Sequence, residues 1–134
     1  MNLNVPFEKL DDYIRTHFKC SYMSNSKWKK LINQLGEEFP DGFVVVYKLI
    51  HGDELLTRCF QEADEQFFIE PILYKEVEWI EFPDVYQDWI NPDNKKAGKA
   101  TRTQDLSRIN EIVNSSGTYE CKHSDQSIRI YGYR

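Results

Sequence analysis

The residues of this chain best placed to do chemistry are carboxylates. Residues 74–82 read YKEVEWIEF, which sets Glu76 and Glu78 two positions apart. On a strand that spacing puts both acids on one face, where a carboxylate pair can act as general acid and general base. The competing reading is a pair of solvated strand positions. Metal ligation would draw on His17 with Cys20, on Cys121 with His123, and on the lone Cys59 and His51. Structural zinc sites present their thiolates in tight Cys-x-x-Cys-like pairs, and neither of these pairs has that form. Nucleophile and phosphate motifs are missing as well: there is no G-x-S-x-G elbow and no G-x-x-x-x-G-K, and the six glycines are scattered. The expectation is a protein without catalytic residues, metal or cofactor. An enzyme using Glu76 and Glu78 remains as a third alternative.

Charge is more informative. Residues 53–93 hold twelve acids and only two bases, Arg58 and Lys75. That segment carries a formal −10, so the remainder of the chain is +5 and the net −5 conceals a polarised molecule. A field of this kind attracts a basic partner, speeds its association and repels nucleic acid. Rings accompany the acids. Trp79, Phe82, Tyr86 and Trp89 are of the types that dominate interface hot spots, although Trp79 and Phe82 read equally well as core. The candidate partner-binding residues are therefore Glu62, Asp64, Glu65, Glu76, Glu78, Trp79, Glu81, Asp84, Tyr86, Asp88 and Trp89. The basic run Lys95, Lys96, Lys99 and Arg102 reads as a solvated loop, not as a nucleic-acid contact.

Elements must position these groups. Apolar residues at helical spacing predict a first helix through Phe7, Leu10, Tyr13, Ile14 and Phe18, with Asn4 as N-cap and Pro6 in its first turn. A second runs over about 25–35, capped by Ser24 or Ser26, with Gly36 just past its end. FVVVYKLI (43–50) is a central strand, bounded by Asp41-Gly42 and Gly52-Asp53, and a second strand passes through Leu55, Thr57 and Cys59. A third covers 66–73, with Pro71 marking an edge or bulge. In the fourth, YKEVEWIEF, the apolar positions shift out of period two, which predicts a bulge near Trp79 or burial of both faces. Residues 83–102 read as a long connection with a helical turn at 85–89. A third helix follows over about 104–114 with Thr103 as cap, and a terminal hairpin turns at 124–126. Helices and hairpin links in this order predict an α+β domain: a mainly antiparallel sheet of about five to six strands with about three helices packed on it.

The 134 residues suit a single domain, 1–134, with enough hydrophobic sequence for a core. The N-terminal residues MNLNVPFEKLDDY lack a basic and an apolar region of the signal-peptide type, and no apolar run is long enough for a bilayer. Three widely spaced cysteines do not make a disulfide framework. A cytoplasmic protein with reduced thiols is expected.

The segments NSKWKKLINQL, YKEVEWIEF and IRIYGYR together resemble small bacterial proteins of unknown function, some of which occur as immunity proteins beside polymorphic or contact-dependent growth-inhibition toxins. That resemblance implies a cytoplasmic inhibitor that binds a toxin domain, many such toxins being basic nucleases. It carries no site residues with it. The expected function is an immunity protein that covers the active site of a basic toxin domain. The alternative is a general interaction or regulatory module without a toxin.

Overall fold

A computed structural model describes residues 9–60, 67–69, 72–91 and 93–134. Along the chain, α1 (Leu10–His17) and α2 (Asn25–Glu38) lead into β1 (Phe43–Leu49) and β2 (Leu55–Phe60). Two short strands follow, β3 (Phe67–Ile69) and β4 (Ile72–Leu73), then a 3-10 turn (Tyr74–Glu76) and β5 (Val77–Pro83). A ribbon of β6 (Val85–Trp89) and β7 (Lys99–Thr103) precedes α3 (Leu106–Ser116), and β8 (Cys121–His123) and β9 (Ser127–Tyr131) close the chain. The main sheet has five antiparallel strands in the order β2-β1-β5-β9-β8. With the helices packed on it, this is an α+β fold.

One face of that sheet holds the core. Phe43, Val45 and Tyr47 of β1 alternate inward, as do Ile80 and Phe82 of β5 and Ile128 and Ile130 of β9. The apolar stripe of α2 (Trp28, Leu31, Ile32, Leu35) and that of α3 (Ile109, Ile112, Val113) complete the same cluster. Ser24 caps α2 by accepting from Lys27 N at 3.2 Å. The helix does not stop at Gly36: it runs on to Glu38, and Phe39 N closes it on Leu35 O at 2.9 Å. The left-handed glycine is Gly42, at φ 100°, which turns the chain into β1. A smaller cluster of Leu10, Ile50 and Tyr133 fastens α1 at the end of the sheet, with Tyr13 Oη donating to Ile50 O. Asn4 and Pro6 lie outside the described residues.

Three sequence expectations need correction. The described parts of segment 66–73 do not join the main sheet: β3 and β4 pair with each other, and Phe68 packs into the core, while Pro71 lies outside the described residues. Residues 85–89 are strand, not helical turn, and residues 83–102 are mostly a ribbon because β6 finds its partner in β7 fourteen residues on. The third helix begins at Leu106 under an Asp105 cap, which accepts from Arg108 N at 3.0 Å. Thr103 cannot cap it, since it is the last ladder residue of β7. Gln104 is engaged too: its Oε1 accepts from Val44 N at 3.0 Å, and its Nε2 donates to Val44 O at 3.0 Å and Pro83 O at 2.7 Å. Strand β5 pairs with β1 only from Val46 onward, so this side-chain amide stands in for the missing backbone partner at Val44.

The bulge in β5 is present, one residue before Trp79. Lys48 faces Trp79 and Leu49 faces Val77, which leaves Glu78 as the extra residue. Its carbonyl accepts from Gly132 N and Tyr133 N, at 2.7 and 3.1 Å. Beyond the bulge the period of two resumes, so Val77, Ile80 and Phe82 face the core while Trp79 and Glu81 face the opposite side. Among the described residues no helix is long and apolar enough to cross a membrane.

Candidate functional site

The 3-10 turn and the bulge decide where the acids of YKEVEWIEF go. Glu76 sits on the turn, not on a strand, so Glu76 and Glu78 do not form the strand pair that their spacing predicts. Glu76 Oε1 lies 3.0 Å from His51 Nε2, and its Oε2 accepts from Leu73 N at 2.6 Å. Glu78 Oε1 is 3.0 Å from Lys48 Nζ, with both side chains 19% exposed. Glu81 Oε1 accepts from Arg129 Nε at 3.1 Å. The same Arg129 lies over the indole of Trp79, 3.8 Å from the ring centroid. Trp79 is thereby only 5% exposed, on the sheet face away from the helices. Phe82 is core. These acids and rings therefore form an internally compensated layer.

Asp88 approaches Arg102 across the ribbon at 3.7 Å, and Tyr86 is half-buried opposite the same arginine. Glu62, Asp64 and Glu65 lie outside the described residues, as does the side chain of Trp89, whose backbone belongs to β6. Asp84 is different. Its backbone is fixed, with N donating to Gln126 O at 2.8 Å and O accepting from Gln104 N at 3.0 Å, and its side chain turns to a cleft.

That cleft, of about 440 Å³, opens where the ends of β5 and β9 meet the start of α3. Asp84, Asp105 and Asp125 contribute three carboxylates to its wall, with His123, Ser107 and Asn110 between them. No lysine or arginine is among the described residues that line it. Asp105 is committed to capping α3, and the N-terminal amides of that helix lie beside it. A second hollow of about 470 Å³ shares Asp84 and is bounded by Pro83, Val85 and Gln126. Val85, 51% exposed, and Ile90, 54% exposed, are large apolar side chains open to solvent on this same ribbon. Acids without a built-in cation, next to exposed apolar residues, can receive a basic side chain together with an apolar neighbour.

Of the candidate partner-binding residues, the structure brings only Asp84 to this cleft, and of the metal-ligand candidates only His123. Asp105 comes from the start of α3 and Asp125 from the terminal hairpin, and no local sequence pattern links them to Asp84. The available signals were separate: an aspartate ahead of an apolar stripe, and one in a serine-rich turn.

The three cysteines are free, with Cys20 and Cys59 exposed and Cys121 half-buried. Burial pushes the Cys121 thiol above its ordinary range, which leaves it a poor nucleophile.

Residues 10–134 match DUF6678, a family of unknown function. The chain belongs to this family. No curated protein matches it, and no solved structure does. Family membership spans every element from α1 to β9, cleft included, and brings no activity with it.

Proposed function

We propose that this chain is a cytoplasmic immunity protein that binds a basic toxin domain and neutralises it by covering the toxin's active site. The observation that carries the reading is the cleft around Asp84, Asp105 and Asp125, three carboxylates in a hollow that no lysine or arginine among its described residues compensates. A segment at −10 in a chain at −5 supplies the long-range attraction, and the cleft supplies the place where it ends. Val85, beside Asp84, takes over the anchoring role that the sequence suggests for Trp79, which is covered by Arg129. The resemblance of NSKWKKLINQL, YKEVEWIEF and IRIYGYR to immunity proteins supports a toxin as the partner over a general regulatory target.

Inhibition of this kind requires no chemistry from the chain: substrate is excluded while the complex lasts. The immunity reading requires a large secreted protein with a basic C-terminal domain encoded immediately upstream. Co-expression of that domain with the chain in a sensitive host should restore growth. Growth arrest that persists with both proteins present would refute the toxin partner.

A further inference from the structure

The ribbon β6–β7 forms its own two-stranded sheet, separate from the five-stranded one. Two-stranded ribbons alone are marginally stable in water, and each of their outer edges carries unpaired backbone donors and acceptors. The direction of those groups is fixed by the bonds at the two ends of the ribbon. Asp84 O accepts from Gln104 N and Ile90 N donates to Gly98 O, both at 3.0 Å, so the even-numbered positions of β6 face β7. By strand geometry the N–H and C=O of Val85, Gln87 and Trp89 therefore point away from β7, along an edge that pairs with no other strand among the described residues.

That edge is self-complementary. Laid antiparallel against a second copy about a two-fold axis at Gln87, position 85 faces position 89 of the other strand, and 86 faces 88. All three outward-pointing positions then find partners on the opposing edge. Asp84 of each copy comes opposite Ile90 of the other. The turn beyond Ile90, which carries Lys95 and Lys96, is then directed towards the end of β5 where the acidic cleft opens. Val85 and Ile90, two of the most exposed large apolar residues among those described, lie at the two ends of the paired segment. We infer that this edge of β6 pairs with the same edge of a second copy, giving a symmetric dimer with a continuous four-stranded antiparallel ribbon. This inference does not rest on the proposed function, but it places the second copy on Asp84, Val85 and Ile90, so a toxin domain has to compete with the dimer for that surface.

The full-length chain tests it by sedimentation or light scattering. The wild type should show twice its 16.0 kDa mass, and the dimer should weaken as salt screens the cleft from the opposing lysines. Gln87→Pro removes an outward donor and no backbone bond of the ribbon, its lost side-chain bond to Thr101 Oγ1 being one that Thr101→Pro loses as well, and Val85→Lys places charge on the edge while leaving the ribbon ladder intact. Each should raise the dissociation constant by roughly tenfold or more. Thr101→Pro makes the equivalent change on the outer edge of β7 and should leave the dimer in place. A wild type that stays at 16.0 kDa, including one that takes up only a foreign basic strand, overturns the inference. So does a dimer that survives both β6 variants, or one that Thr101→Pro also abolishes.

Discussion

Arg129 is the residue that reinterprets the acidic aromatic stretch. By lying over Trp79 while bonding Glu81, it turns an apparent hot spot into a sealed layer of the protein's own surface. Trp79 can be buried this way only because the bulge at Glu78 puts it on the face opposite Val77. The bulge in turn depends on Gly132. A methyl group there would lie 2.6 Å from Val77 O and 3.2 Å from the Trp28 ring. Gly132→Ala should therefore force the β5–β9 junction apart, lowering stability by roughly 1–3 kcal/mol, readable in a denaturant titration.

Tyr133 offers a pH test beside it. Its phenol donates to Lys75 O at 3.0 Å, and burial, with Asp11 nearby, raises its pKa from 10 to about 12. Because the folded value is the higher one, the stabilisation is fully present below pH 10 and is lost as pH rises towards 12. Alkaline melts of Tyr133→Phe should lack that loss. Neither residue's role was readable from sequence, since both rest on contacts between segments more than fifty residues apart.

At the scale of elements, amphipathic periodicity carried the helices and the sheet strands, because buried stripes impose it directly. The out-of-period step in YKEVEWIEF correctly signalled a bulge. The ribbon was not legible. It is exposed on both strands, so neither strand alternates apolar with polar, and residues 83–102 look like loop. Its junction with the sheet was hidden for another reason: a side chain performs a backbone's task there. Gln104 serves the two backbone groups of Val44 and the carbonyl of Pro83, which joins β1, β5 and the start of α3. Gln104→Ala leaves those half-buried groups without partners and should cost about 1–3 kcal/mol, with loosened amide exchange at Val44 as its local signature. The outer face of α3 is held more lightly. Arg108 bonds Glu38 at 2.6 Å and Glu111 at 2.8 Å, and the hydrogen bond from Arg108 holds the Glu38 carboxyl below its ordinary range. The α2–α3 clamp should persist above the usual glutamate range and weaken as pH falls through the lowered Glu38 value. The loss of helix protection on acidification should be smaller in Glu38→Gln.

At the scale of the molecule, folding redistributes the charge imbalance read from the sequence, since Glu78, Glu81 and Asp88 meet Lys48, Arg129 and Arg102 from outside residues 53–93. Counting acids against bases predicts a negative segment; only three dimensions separate the acids that meet a cation from those that do not. Glu78 and Glu81 have Lys48 and Arg129, whereas Asp84 and Asp125 share a cleft with no lysine or arginine among its described residues. Reversal of Glu78 would therefore break a half-buried pair and confuse folding with binding. Asp84→Lys with Asp125→Lys breaks no ion pair among the described residues, and in monomeric protein should leave the thermal midpoint within a degree or two of the wild type.

Whether a basic partner is drawn to this cleft comes down to the association rate of that double variant with the basic toxin domain at low ionic strength. Association should be slower than wild type by about tenfold or more, with a flattened dependence on salt. Equal rates and equal salt dependence for wild type and variant would contradict it.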